Sequence, residues 1–573
     1  MLQRLERYTP QLVAAAYLMF ALPLLPLHGV TYDAPALYYA GDRTLFFLTH
    51  PGVPGALSFA SRQEPPGFHS FFSRDDEWED PMRYPVLPGL LAAVVSVLVH
   101  DGLGLLDPAA AHHLGLVLLN ALALWLFALY AIRFLGQRAG AFAAVALMLF
   151  PSAFGHAFNN PKDWPCAMFY GLAVLAAGEG LVSGRGRDIL AAGLFAGISL
   201  AAKLNGVFVL VTLALWAPVI WFSRIRRAPQ AEKYRLAAAC LAAPYIAGFV
   251  FVASWPWIWN APPAGIVERM SRYLSFMAAY GVSARDSWTW HPLKCLVFMT
   301  PPVVLLASAV ALVAWVRRRD PEATVRVALL VSWVAVPYLR SMVPRSNFYD
   351  ANRHFIEYVP GLCALAGWGF AELIERVERA ARRSSGALAR PSAGAVLRAS
   401  ICGVAGGSML VPLLRYAPFE TAYFNVLTGG LGGAQARALF RMPPPTDPRS
   451  DGTEGDYWYQ SLRVAFIEAA RRVPTPATIA LCNAPEVLGQ ANLTGQAFRP
   501  VRFNSLEGQA APIVWISPRE GGCGWRQVRA LESERPVLLR VERGGGLIYE
   551  LLGPRSDRRL EPVSAGNAYT GGA

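Results

Sequence analysis

The stretch PVLPGLLAAVVSVLV, residues 85–99, decides how this chain threads a membrane. It is apolar throughout, yet it falls short of the roughly 20 residues an apolar helix needs to cross a hydrocarbon core of about 30 Å. Pro85 and Pro88 stand at its start. If it crosses, the loops carrying Arg133 and Arg138, Arg185 and Arg187, and Arg226 and Arg227 all lie outside. If it does not, all of them lie inside. Lys and Arg in short loops favour the cytoplasmic face. Residues 86–99 therefore read as a re-entrant or interfacial helix on the outer side.

The remaining topology follows from that choice. Arg4 and Arg7 precede the first apolar run, 12–30, which places the N-terminus inside. No small-residue cleavage site follows that run, so it reads as an anchor and not a cleaved signal. Residues 31–110 then form a first outer loop that contains the re-entrant helix. Further spans are expected near 114–135, 139–154, 165–182, 189–202, 206–222, 236–254, 296–316, 325–339, 355–374 and 401–414. The expected fold is mainly α: a polytopic membrane domain over 1–414 with about 11 transmembrane helices. The basic loops 317–319 and 376–398 again fall inside, and 155–164, 255–291 and 341–354 fall outside.

Composition agrees. Of 573 residues, 54% are hydrophobic and only 16% charged, against about 25% charged in a soluble domain. The net charge of +13 sits mainly in short loops between apolar runs, and no nucleic-acid motif accompanies it. Nucleic acid is not an expected partner. No long internal repeat points to an inverted-repeat transporter.

Past residue 414 the long apolar runs stop. Residues 415–554 read as a small extracytoplasmic α/β domain. Residues 459–472 carry apolar Leu462, Ala465, Phe466 and Ala469 at helical spacing. Short strands are expected at 478–481, 513–516, 537–541 and 547–551, with Gly544, Gly545 and Gly546 in a hairpin turn between the last two. Residues 555–573 read as a disordered tail. Cys482 and Cys523 lie in this domain and are a candidate disulfide if it is outside. The other cysteines (Cys166, Cys240, Cys295, Cys363, Cys402) lie in or beside apolar segments, where Cys usually packs as a small hydrophobe. No CxxC pair suggests a zinc site.

The expected topology collects unusual polar groups at the outer surface, where charge at the membrane boundary marks candidate functional sites. Asp33 follows the first span, and before Pro35 it also reads as an ordinary helix cap. Arg83 ends an acidic run, 75–80, beside the re-entrant helix and is placed to meet an anionic head group. Asn160-Pro161-Lys162-Asp163 sets a Lys–Asp pair at the mouth of a span. Lys203 lies at the outer end of a hairpin of spans, where it either snorkels or binds a phosphate. Tyr349-Asp350-Ala351-Asn352-Arg353-His354 is too polar for packing alone to explain. Trp255-Pro256-Trp257 fits an interfacial aromatic belt. Carboxylates with cations at a membrane face suggest transfer of a group from a lipid-linked phosphate: the cations hold the leaving phosphate, and a carboxylate deprotonates an acceptor hydroxyl.

In this order, the motifs resemble the GT-C membrane glycosyltransferases, particularly the bacterial branch related to protein O-mannosyltransferases and aminoarabinose transferases. The resemblance also covers Lys203-Leu204-Asn205-Gly206, Pro418-Phe419-Glu420, Tyr423-Phe424-Asn425 and Gly429-Gly430, and spans most of 1–430. It implies an enzyme of the plasma (inner) membrane that takes a sugar from a polyprenyl phosphate on the outer side, by inverting direct displacement. Carried over by position, Asp33 and Asp163 become the catalytic carboxylates, Asp33 as the general base or an acceptor-binding carboxylate and Asp163 as the second acid of the site. Lys203 and Arg353 become donor-phosphate ligands, with Arg83 and His354 beside them. Asn160, Lys162, Tyr349 and Asp350 are further site candidates. Acceptors implied are lipid, polysaccharide or protein, and membrane lipid is a standing partner. Ala34 stands where relatives often have Glu in an Asp-Glu pair, and Tyr84-Pro85 where they commonly have His-Pro. These departures lead to an expectation of no obligatory metal, while a divalent metal stays open because related enzymes differ. Two other classes compete: a transporter or flippase of a lipid-linked sugar, and a degenerate homologue acting as an assembly subunit.

Overall fold

Apolar runs become helices because a bilayer core offers backbone N–H and C=O groups no partner but each other. The computed structural model describes residues 8–57, 64–72, 84–318, 320–383, 391–440, 454–482, 484–495, 497–518, 523 and 525–555. Arg83, the acidic run 75–80 and the tail from 556 onward lie outside the described residues.

The helices that position the site, in chain order, are α1 (Thr9–Leu27), α2 (Ala34–Thr49), α3 (Leu87–Gly102), α4 (Pro108–Leu135), α5 (Gln137–Met148), α6 (Pro151–Asn159), α7 (Asp163–Ser183), α8 (Gly186–Leu200), α9 (Leu204–Ser223), α10 (Gln230–Ala253), α11 (Pro263–Tyr280), α12 (His291–Met299), α13 (Pro302–Arg318), α14 (Pro321–Met342), α15 (Tyr358–Arg383) and α16 (Pro391–Tyr416). Among the described residues, seven helices are long and apolar enough to cross a membrane, or nine if each of two bent pairs counts as one span. The pairs are α5–α6, bent by 61°, and α12–α13, bent by 109°. Proline causes both breaks. It disfavours helical backbone in the residue before it, and Phe150 and Thr300, which precede Pro151 and Pro301, are extended. Two expected spans fall outside the nine. Helix α8 has only 15 residues, and the second half of α15 carries Glu372, Glu375, Arg376, Glu378 and Arg379.

Residues 87–102 form one continuous apolar helix whose last turn widens to a π-helical turn over Val97–Gly102. It packs between α2 and α4. The crossing with α2 is so close that a Cβ on Gly41 would stand 2.3 Å from the Gly89 carbonyl oxygen. One on Gly89 would stand 2.5 Å from that of Leu37. Only glycine permits this approach.

The C-terminal region carries a helix, α17 (Leu462–Ala470), and five strands: β1 (Ala477–Leu481), β2 (Phe498–Arg502), β3 (Ile513–Ile516), β4 (Val537–Arg543) and β5 (Gly546–Leu552). The sheet order is β2-β1-β3-β5-β4. Strands β2 and β3 run parallel to β1, while β5 runs antiparallel to both β3 and β4. The hairpin turn falls on Gly544 and Gly545, both in the left-handed region. Strand β2 was not expected from sequence, because Pro500 interrupts it. It lies at a sheet edge, where a missing N–H is tolerated.

This region is tied to the membrane helices by buried polar contacts. Asn492 clamps Val30, accepting from its N–H at 2.8 Å and donating to its carbonyl at 3.1 Å. Arg463 donates to the Pro26 carbonyl at 2.8 Å and pairs with Asp107 at 2.5 Å. Cys482 and Cys523 are joined by a disulfide.

Candidate active site

Asp33 occupies the N-cap position of α2, but its side chain caps nothing. Its Oδ2 instead accepts from Lys162 Nζ at 3.0 Å and from Arg353 Nη1 at 2.5 Å. The cap at the next helix is made by a different residue. Asn160 Oδ1 accepts from the N–H groups of Lys162 and Asp163, at 3.2 and 2.8 Å. That turn starts α7 and frees the Asp163 carboxylate to face Lys203 Nζ at 2.5 Å and Arg353 Nη1 at 3.7 Å. The plain capping reading of Asp33 therefore does not hold.

The third arm comes from the 350s. Asp350 and Ala351 both adopt left-handed backbone, with φ of 56° and 57°, which costs a non-glycine residue roughly 1–2 kcal/mol. That fold-back lets Asp350 Oδ2 meet Arg353 Nη2 at 2.9 Å. The Arg353 guanidinium lies 5.0 Å from the Tyr349 ring and 4.5 Å from the Trp458 ring. Tyr349 reaches across to Tyr280 at the end of α11 through a hydroxyl–hydroxyl contact. Lys162 stands 5.1 Å from the Tyr84 ring.

The resulting cluster balances three carboxylates (Asp33, Asp163, Asp350) against three cations (Lys162, Lys203, Arg353), all buried. Buried charges persist only when paired. Burial alone would raise the pKa of Asp33, but Lys162 and Arg353 outweigh it and hold the group at about 2. Burial pulls the Lys162 ammonium down, and Asp33 and Asp163 more than restore it, above the usual lysine range. Burial, with the charges of Lys203, Arg353 and Lys162, drives His354 well below the usual histidine range. His354 is a neutral imidazole at neutral pH, so it brings no positive charge to a phosphate. Its carbonyl accepts from Arg340 at 2.7 Å and Asn205 at 3.3 Å, and both of these also contact Glu357.

The candidates Asp33, Asn160, Lys162, Asp163, Lys203, Tyr349, Asp350, Arg353 and His354 thus converge from four separate segments. Several contributors were not singled out from sequence. Trp458 stacks on Arg353 and accepts from the Tyr32 N–H at 3.3 Å. The Tyr457 hydroxyl meets His156 Nε2 at 3.2 Å, His156 Nδ1 lies 3.2 Å from Asn160 Nδ2, and Asn160 donates to Asp163 at 3.3 Å. Gln460 Oε1 accepts from Asn159 at 3.3 Å. The one available signal was the aromatic run Tyr457-Trp458-Tyr459 just before α17. Among the described residues no three of His, Cys, Asp and Glu converge on a metal position, and cations already engage the carboxylates of the cluster.

No protein-family model and no curated protein matches the chain. Among solved structures it is similar to ArnT from Cupriavidus metallidurans in the apo state, at 14% identity over 94% of this chain and 97% of that one, with a TM-score of 0.46. The same protein bound to undecaprenyl phosphate gives 14% identity, coverage of 95% and 98%, and a TM-score of 0.47. The oligosaccharyltransferase AglB from Archaeoglobus fulgidus, in complex with an inhibitory peptide and a dolichol-phosphate, gives 11% identity, coverage of 87% and 64%, and a TM-score of 0.44. At such identities the likeness concerns the fold alone, and the reading of the site rests on its own geometry.

Proposed function

We propose that this chain is a GT-C-type membrane glycosyltransferase that moves a sugar from a polyprenyl-phosphate donor to an acceptor hydroxyl at the outer membrane face. The observation that carries the reading is the buried, charge-balanced cluster of Asp33, Asp163 and Asp350 with Lys162, Lys203 and Arg353. A bundle that needed these groups only for stability would do as well with apolar packing. The eleven-span topology belongs to this reading, with α8 and α15 added to the nine spans that length and composition support. So does an extracytoplasmic C-terminal domain, which suits the Cys482–Cys523 disulfide.

In the proposed step, an acceptor oxygen attacks the anomeric carbon. The bond from that carbon to the phosphate oxygen breaks, and configuration inverts. The acceptor proton passes to Asp33, and the polyprenyl phosphate leaves onto Lys203, Lys162 and Arg353. The cations are paired before the donor arrives, so phosphate oxygens reach them by taking over contacts that Asp33 and Asp163 now make. That exchange leaves a carboxylate with fewer cationic partners, and therefore more basic, beside the sugar. Donor binding thus precedes base activation. No step passes through a metal.

The test is transfer from a panel of radiolabelled polyprenyl-phosphate sugars into membranes carrying wild type or Asp33→Asn. Transfer by wild type alone supports the reading and names the donor sugar. Absence of transfer from every donor, with folded and inserted protein, shifts the assignment to a flippase or an assembly subunit.

A further inference from the structure

At the membrane face opposite the cluster, α5, α15 and α16 enclose an apolar groove of about 320 Å³. Its walls include Phe142, Val145, Phe370, Ala405 and Met409, and among the described residues its charged lining residues are Arg138 and Arg398. The opposition of the two sites follows from chain direction. Helices α5 and α6 run from Arg138 to Asn159, beside Asn160, and α15 runs from the Arg353 end toward Glu378. Helix α16 packs loosely. It is mostly exposed along its length, and a Cβ added at Gly403, Gly406 or Gly407 would meet nothing within 4 Å.

A groove of this kind in a bilayer does not stay empty or wet. Unfilled, its lining loses dispersion contacts, and water there finds none of the polar partners it needs. Hydrocarbon fills it. The length sets which hydrocarbon. From Arg398 to Met409 the helix rises about 16 Å at 1.5 Å per residue, close to one leaflet of a core about 30 Å thick. That matches a single acyl chain, whereas a polyprenyl chain would overrun it. The charge sets the head group. Arg138 and Arg398 each donate to the same carboxylate, Glu378, at 3.3 and 2.8 Å, so these three described side chains together carry one net positive charge. Each guanidinium has five N–H donors, and both side chains are exposed. Basic pockets between helices on the cytoplasmic side suit anionic head groups, and the positive-inside reading puts this face there.

We propose that the groove binds one anionic phospholipid, with an acyl chain between α5, α15 and α16 and its phosphate on Arg138 and Arg398. The lipid completes the packing of α16, the helix that leads into the C-terminal domain. The proposal is independent of the transferase reading.

The test uses full-length protein in mild detergent, with lipid retention read by native mass spectrometry and thermal unfolding followed with added dioleoylphosphatidylglycerol or dioleoylphosphatidylcholine. Wild type is expected to retain one phosphatidylglycerol and to gain several degrees with that lipid but not with the zwitterionic one. Arg138→Gln with Arg398→Gln should cut retention about tenfold. Ala405→Phe, which keeps both arginines and fills the groove, should also lose the lipid; it decides the matter if the double variant fails to fold. An equal response to both lipids, unchanged retention in Ala405→Phe, or recovery of polyprenyl phosphate in place of phospholipid overturns the proposal.

Discussion

Arg353 Nη1 lies 2.5 Å from Asp33 Oδ2, although 320 residues separate them in sequence. The same guanidinium meets Asp350 at 2.9 Å and Asp163 at 3.7 Å. Arg353 is therefore the hub of the cluster. Removing one partner of a buried ion pair typically costs about 3–5 kcal/mol, because the other charge stays behind unpaired. Arg353→Ala takes one cation from each of three carboxylates, leaving Asp33 with Lys162 and Asp163 with Lys203, and should lower stability by about that much. Asp33→Asn should cost less, since Arg353 keeps Asp350 and Asp163. Thermal unfolding in detergent measures both. A smaller loss for Arg353→Ala than for Asp33→Asn would contradict the hub assignment.

Trp458 brings the C-terminal domain into the site by stacking on Arg353. A cation–π contact of this kind is worth about 0.5–2 kcal/mol. If it holds the guanidinium in place, Trp458→Ala should lower kcat about tenfold with little change in KM for the donor, and Trp458→Phe should recover most of the loss. Steady-state transfer kinetics read the split. Equal kcat in all three proteins would confine Trp458 to packing.

Acid should weaken the fold through Asp33. Its folded pKa of about 2 lies below the usual 3.8, so the group stabilises the folded state above about pH 4. That contribution, about 2 kcal/mol, fades as pH falls from about 4 toward 2. Unfolding free energy measured across that window should fall more steeply in wild type than in Asp33→Asn. Parallel curves would mean that Asp33 is not held by its cations in solution.

Thiol counting tests the C-terminal bridge. Five of the seven cysteines are free and two are joined. Alkylation of the denatured, unreduced chain should add five labels, and alkylation after reduction should add seven. A bridge closing a loop of this length typically stabilises by about 2–4 kcal/mol, so Cys482→Ser should lower the unfolding temperature. Seven labels without reduction would show the thiols free.

Much of the helical layer was legible because bilayer physics writes itself into composition. Runs of apolar residues at spanning length mark the helices, and Arg placement supplies their expected orientation. The terminal strands read equally well, except β2, where Pro500 masks an edge strand. The bends at Pro151 and Pro301 had a local signal, but their angles depend on what each half packs against.

The polar candidates were legible one by one, as charges too costly to leave at a membrane edge without a task. Their partners were not. Nothing in the spacing of Asp33, Lys162, Lys203 and Arg353 states which carboxylate meets which cation. Those pairings arise where α2, α7, α9 and the turn before α15 converge. The same limit hid Trp458 and Tyr457, which enter the cluster only because Asn492 and Arg463 dock the C-terminal domain against Val30 and Asp107. Sequence alone determined which segments are apolar enough to cross a membrane and which kinds of polar group lie between them, since hydrophobicity and charge are properties of single residues. Only the tertiary structure decided that three carboxylates and three cations would neutralise one another in a single buried cluster, because pairing depends on distances that separate chain segments acquire only by packing.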